Sequence, residues 1–252
     1  MSERGFSQAG VPLVVAHRGA SAEEPENTPA AFDRAVAAGA DVVEFDVRMT
    51  ADEVAVVLHD PDVDRTTTGH GLVRSMSLEE VRALGVVPTL EEVLRLLSGR
   101  VALDIEIKNI PGQPDFDAER EAAVEATLVA LEVTAFVGQV MISSFNPFSI
   151  ARSRSLAPKV PTGLLTEPDV EARAGLTFAS AQGHDWVLPF AGRVVDAGPD
   201  LPTEAHEAGL LLGTWITDDP AHAVELMRGG VDAVATNDPA AIVAARREAF
   251  GR

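Results

Sequence analysis

Val42-Val43-Glu44-Phe45-Asp46-Val47 is an apolar run interrupted by two carboxylates two residues apart, and its reading decides the fold. A strand turns successive side chains to opposite faces, so Glu44 and Asp46 share one face and Phe45 takes the other. Similar short runs rich in Val, Ile and Leu recur at 13–16, 101–107, 140–144, 160–165, 186–190, 210–216 and 233–236. Amphipathic segments separate them, the pattern of strand and helix units around a parallel sheet. Eight such strands predict a closed α/β barrel. A chain of 252 residues without a linker-like stretch fits one barrel, expected as a single domain over residues 11–250. Glu44 and Asp46 then point into the barrel mouth and Phe45 toward the outer helices.

Helix starts agree with this count. Thr28, Asn146, Asp219 and Asp238 each precede a proline, a capping residue followed by the imino acid best tolerated at the first helical position. Ser77 with Glu80 and Thr89 with Glu92 have capping-box spacing. One segment breaks the alternation. The link from 42–47 to the next run, 54–58, is too short for a helical crossover and predicts a hairpin, which would set His59 across from Glu44 or Asp46.

Composition narrows the chemistry. There is no cysteine, so disulfides and thiolate metal sites are excluded and a metal must be held by oxygen or imidazole. A net charge of −19 opposes nucleic-acid binding, which needs clustered cations to displace counterions. No run approaches the roughly 18 apolar residues of a membrane span. Residues 1–10 hold no apolar run that could be a signal-peptide core, so a cytoplasmic protein without stable membrane insertion is expected.

The chemistry-bearing residues fall at predicted strand ends. Glu44, Asp46 and Glu106 offer three carboxylates at the barrel mouth, a donor set that suits Mg²⁺ or Ca²⁺, with Asp104 and Lys108 on the face of Glu106. The alternative is that these carboxylates simply pair with Arg or Lys. His17 ends the first strand and His59 the hairpin, so one imidazole can act as base while the other protonates a leaving alkoxide. Arg18 and Lys108 are the natural partners of phosphate oxygens, although Arg18 could instead bridge Glu44 or Asp46. Gly19 lets the backbone approach closely after Arg18. Trp215 could wall an alcohol pocket or pack the barrel. His70, His184, His206 and His222 read as structural or surface residues. A cation, an acid and a base are the parts that cleavage of a phosphate diester requires.

In order, His17-Arg18-Gly19, Pro25-Glu26-Asn27-Thr28, Glu44-Phe45-Asp46, His59-Asp60 with Arg65-Thr66-Thr67, Pro88 to Glu92, Glu106-Ile107-Lys108, Ser143-Ser144-Phe145 and Thr214-Trp215 resemble the glycerophosphodiester phosphodiesterase family. The resemblance spans nearly the whole chain. It implies a TIM-type (β/α)8 barrel and metal-dependent hydrolysis of a small-molecule glycerophosphodiester to glycerol 3-phosphate and an alcohol. It further implies His17 and His59 as acid and base, Glu44, Asp46 and Glu106 as ligands of Mg²⁺ or Ca²⁺, and Arg18 and Lys108 as phosphate contacts. The subdomain that the family commonly inserts before the Pro88 segment is expected to be largely absent. Other readings are a lysophospholipase D or phosphoinositide phospholipase C type of reaction on the same barrel, or a non-catalytic barrel that binds a phosphorylated metabolite. The sequence leaves the oligomeric state and the preferred alcohol open.

Overall fold

The computed structural model describes Phe6 and residues 10–251. Most of the segment on which the signal-peptide expectation rests, 1–5 and 7–9, lies outside the described residues. The chain runs β1 (Leu13–His17), α1 (Pro29–Ala38), β2 (Val42–Met49), β3 (Ala55–Val57), α2 (Leu78–Leu84), α3 (Leu90–Leu97), β4 (Ala102–Ile107), α4 (Ala122–Val133), β5 (Val140–Ser144), α5 (Pro147–Leu156), β6 (Thr162–Leu165), α6 (Ala172–Gln182), β7 (Trp186–Leu188), α7 (Ala191–Ala197), α8 (Leu201–Glu207), β8 (Leu211–Thr214), α9 (Pro220–Arg228), β9 (Ala233–Thr236) and α10 (Pro239–Phe250). Parallel pairing runs β1-β9-β8-β7-β6-β5-β4-β2, and β1 pairs with β2, so eight strands close a barrel. Each predicted strand is present, trimmed by one to three residues where the run extended into a loop.

Thr28, Asn146, Asp219 and Asp238 all accept hydrogen bonds from backbone N–H groups of the first helical turn. The boxes at Ser77 and Thr89 are both complete. These bonds satisfy donors that a helix start leaves orphaned, and so fix where each helix leaves the barrel rim.

The hairpin forms with β3 antiparallel to β2, pairing Val47 with Val57 and Met49 with Ala55. Its register differs from expectation by one residue. The Leu58 N–H donates to the Asp46 carbonyl at 3.1 Å, so Leu58 stands opposite Asp46 and His59 follows beyond the ladder. The connection from β3 to α3 is compact, with one turn of 3-10 helix and α2 closing over Val56, Leu58, Val63, Val73, Val81 and Val87.

Apolar packing forms two layers. Between strands and helices lie clusters around Val14, Leu212 and Val234 on one side and around Phe32, Phe45 and Leu94 on the other. Phe45 meets Phe32 of α1 at 5.7 Å between ring centroids, the outward role its strand position predicts. Inside the barrel, Phe6, Val15, Val42, Met141, Trp186 and Leu188 fill the floor. Polar residues therefore gather at the opposite end, where the strands finish.

Candidate active site

β2 carries Glu44 and Asp46 inward beside β4, whose Asp104 pairs in register with Glu44 and whose Glu106 pairs with Asp46. Glu44, Asp46 and Glu106 each offer a carboxylate oxygen within 4.8 Å of the others, all buried. Lys108 follows β4 and sets its ammonium 2.6 Å from Glu106 and 3.1 Å from Asp46. Arg18 follows β1. Its backbone N–H donates to Glu44 at 2.8 Å and its Nε lies 3.3 Å from Asp46. That amide is aimed by an unusual backbone, since Arg18 has φ 56° and Asn27 φ 58°, both in the left-handed region. Asn27 is buried and donates to Asp46 at 2.8 Å.

The charges do not cancel. Among the described residues, Glu44, Asp46, Asp104 and Glu106 face the permanent cations Arg18 and Lys108 alone, four carboxylates against two cations. Burial, followed by the charges of Asp46 and Glu106, pushes the Glu44 carboxyl well above the usual range. Burial also raises Asp104 and Glu106 to about 7, for Glu106 against the pull of Lys108. Asp46 goes the other way, because Lys108 and Arg18 outweigh its own burial. Glu44 Oε1 is buried and has no hydrogen-bond partner. An orphaned carboxylate oxygen beside two others, with two uncompensated negative charges, fits a divalent oxygen-seeking cation.

Both imidazoles reach this cluster. His17 Nδ1 lies 2.8 Å from Asn237 Oδ1, and Asn237 Nδ2 donates in turn to Asp218 at 2.8 Å. The amide's orientation assigns the His17 proton to Nδ1 and leaves Nε2 as a lone pair. Burial, then the Arg18 guanidinium, lowers the His17 pKa to about 4. His59 Nδ1 sits 2.6 Å from Asp60, which also accepts from Arg65 at 2.6 Å. Burial lowers the His59 pKa too, opposed by Asp46. Arg65 and Arg18 both hold Glu26, so one chain of ion pairs links the His59 partner to Arg18.

His17, Arg18, Glu44, His59, Glu106, Lys108 and Trp215 all line one cavity of about 290 Å³, with Asp46 buried behind it. Trp215 stands at its apolar side between Phe145, at 5.2 Å in an edge-to-face contact, and Phe190 at 5.5 Å. Its indole N–H donates to the Leu188 carbonyl at 3.1 Å, so Trp215 both packs and walls.

A model of the glycerophosphoryl diester phosphodiesterase family matches residues 17–241. The chain belongs to this family. A glycerophosphodiester phosphodiesterase from Caldanaerobacter subterraneus is 34% identical over 92% of this chain and 96% of its own length. The structure of a phosphodiesterase from Oleispira antarctica, in complex with the product sn-glycerol-3-phosphate, superposes with a TM-score of 0.82 at 25% identity, covering 93% of this chain and 96% of that one. The crystal structure of a glycerophosphodiester phosphodiesterase from Agrobacterium tumefaciens gives a TM-score of 0.78 at 27% identity, over 93% of this chain and 100% of that one. As a member of the family the protein is a phosphoric diester hydrolase acting on glycerophosphodiesters. Among the described residues no helix is long and apolar enough to cross a membrane.

Within this phosphodiesterase fold the remaining histidines stay outside the cluster. His184 is buried against Thr162, His206 meets Asp232, His222 meets Thr217, and His70 is exposed beside Asp64. Sequence reasoning did not find Asn237, which lies 220 residues from the imidazole it holds. Its only sequence signal is a place just after the last strand. Asp60 and Arg65 were visible as a motif, but the contact of Arg65 with Glu26 across 39 residues was not.

Proposed function

We propose that a divalent cation held by Glu44, Asp46 and Glu106 assists hydrolysis of glycerophosphodiesters to glycerol 3-phosphate and an alcohol, with His17 as base and His59 as acid. The observation that carries this reading is the convergence at one cavity of three close carboxylates, two lining it and Asp46 behind them, with two imidazoles anchored through Nδ1 and the cationic side chains of Arg18 and Lys108. When bound, the cation supplies charge for the phosphate oxygens and for the transition state.

The two histidines divide the proton work by their partners. His17 leans on a neutral amide and is held well below its ordinary pKa, so its Nε2 remains free to take a proton from the attacking oxygen as that oxygen bonds to phosphorus. The oxygen is that of water, or of the substrate's own glycerol hydroxyl with water then opening the cyclic phosphate. His59 leans through Nδ1 on the Asp60 carboxylate and faces Asp46; against the burial that lowers its pKa, these two anions favour the imidazolium, the form that carries a proton on Nε2. The bond from phosphorus to the alcohol oxygen breaks as that oxygen receives the His59 proton. Arg18 and Lys108 hold the remaining phosphate oxygens. Trp215 and Phe145 offer the apolar side of the cavity to the carbon atoms of glycerol or of the alcohol.

The test is glycerol 3-phosphate release from a panel of glycerophosphodiesters in chelator, then with Mg²⁺, Ca²⁺ or Mn²⁺ restored. Release restored by metal is expected. His17→Ala and His59→Ala should each lose about 100-fold or more while keeping the circular dichroism of the parent. A variant that turns over at the parental rate removes its histidine from the mechanism.

A further inference from the structure

Arg48 is an ionised side chain buried in the wall of the site, its side chain only 1% exposed. It lies on β2, two residues beyond Asp46, where an apolar residue would pack without cost. Its guanidinium instead makes four hydrogen bonds to three separate pieces of chain. Nε donates to the His59 carbonyl at 2.7 Å. Nη1 donates to the Lys108 carbonyl at 3.2 Å and to Asp115 at 2.5 Å. Nη2 donates to Gln113 at 2.7 Å, and Gln113 itself lines the cavity.

We infer that Arg48 is a positioning residue that locks His59 to the strand carrying Glu44 and Asp46, with the Lys108 carbonyl, Gln113 and Asp115 fixing the guanidinium itself. The inference rests on His59 acting as the acid that protonates the leaving alcohol. His59 follows the last backbone bond of the hairpin, Leu58 N–H to Asp46, whereas Lys108, one residue beyond β4, still donates its own N–H to the Val47 carbonyl at 3.1 Å, so His59 is the backbone that depends on Arg48. The planar guanidinium spans both carbonyls, and Asp115 balances its charge. A lysine carries the charge but cannot present the same fork of donors. An error of an ångström at the imidazole weakens proton delivery to a poor leaving group.

Arg48→Lys and Arg48→Gln are compared with the parent and with His59→Ala on two esters of glycerol 3-phosphate in saturating Mg²⁺. One ester has an ordinary alcohol as leaving group. The other has 4-nitrophenol, which leaves without a proton. The expected result is a fall in kcat of about tenfold or more on the alkyl ester and less than about threefold on the nitrophenyl ester, with KM little changed. His59→Ala should show the same contrast more strongly. Equal losses on both esters, no loss on either, or failure of both Arg48 variants to fold would assign Arg48 to the scaffold alone and overturn the inference. If His59→Ala loses both activities equally, the acid reading of His59 fails, and the role of Arg48 fails with it. A contrast in His59→Ala without one in the Arg48 variants overturns the Arg48 role alone.

Discussion

His17 shows how one residue's surroundings set its chemistry. A base works unprotonated, and burial beside Arg18 lowers its pKa from 6.5 to about 4. The lone pair on Nε2 therefore persists as pH falls through 6.5 and is lost only near pH 4. The acid limb of kcat/KM in saturating metal is expected well below 6.5, and a limb at or above that value would rule out His17 as the base. Glu44 makes a second test. Its Oε1 has no protein partner, so Glu44→Gln should weaken divalent-cation binding by about tenfold or more through the lost ligand charge. Calorimetric affinity unchanged from the parent would count against it as a ligand. Residue type and strand parity were enough to nominate both groups. The Asn237 amide behind His17 was not legible, because no local pattern encodes a contact across 220 residues.

At the scale of elements, the turn from β1 into α1 is the tightest constraint on the site. Gly19 has φ 81°, and a Cβ there would lie 2.6 Å from the backbone carbon of Ala31 in α1. Gly19→Ala therefore meets both an unfavourable backbone region and a clash that only a shift of α1 can relieve. A loss of about 1–3 kcal/mol in chemical denaturation is expected, together with reduced turnover as Arg18 moves. Wild-type stability would show that the turn adapts. The element boundaries themselves were readable from capping residues and apolar periodicity, because each is a local property. The hairpin register was not. A shift of one residue separates His59 opposite Asp46 from Leu58 opposite Asp46, and the ladder and its side-chain packing decide between them.

For the whole molecule, the buried cluster joins β2 to β4 and faces the ends of β1 and the hairpin, so its charge imbalance bears on global stability. A ligand that binds only the folded state stabilises it by about 2.7 kcal/mol at a hundredfold excess over Kd. For a chain of this length that corresponds to a rise in Tm of roughly 5–10 °C. A thermal titration with Mg²⁺ or Ca²⁺ should show this rise in the parent and a reduced one in Glu106→Gln. A Tm that ignores both ions would speak against the carboxylate cluster as their site.

By itself the sequence determined the eight strands, the helix starts, the inward direction of Glu44, Asp46 and Glu106, and the family. Each follows from periodicity, from capping chemistry or from an ordered set of motifs. Closure of the barrel decided the rest. It brought Asn237 to His17, Glu26 to Arg65, and the Arg48 guanidinium to the carbonyls of His59 and Lys108. Those partners are chosen by the position of the backbone in space. A buried donor must find whatever acceptor the folded chain places within 3 Å or so, and nothing in the neighbouring residues announces which one that will be.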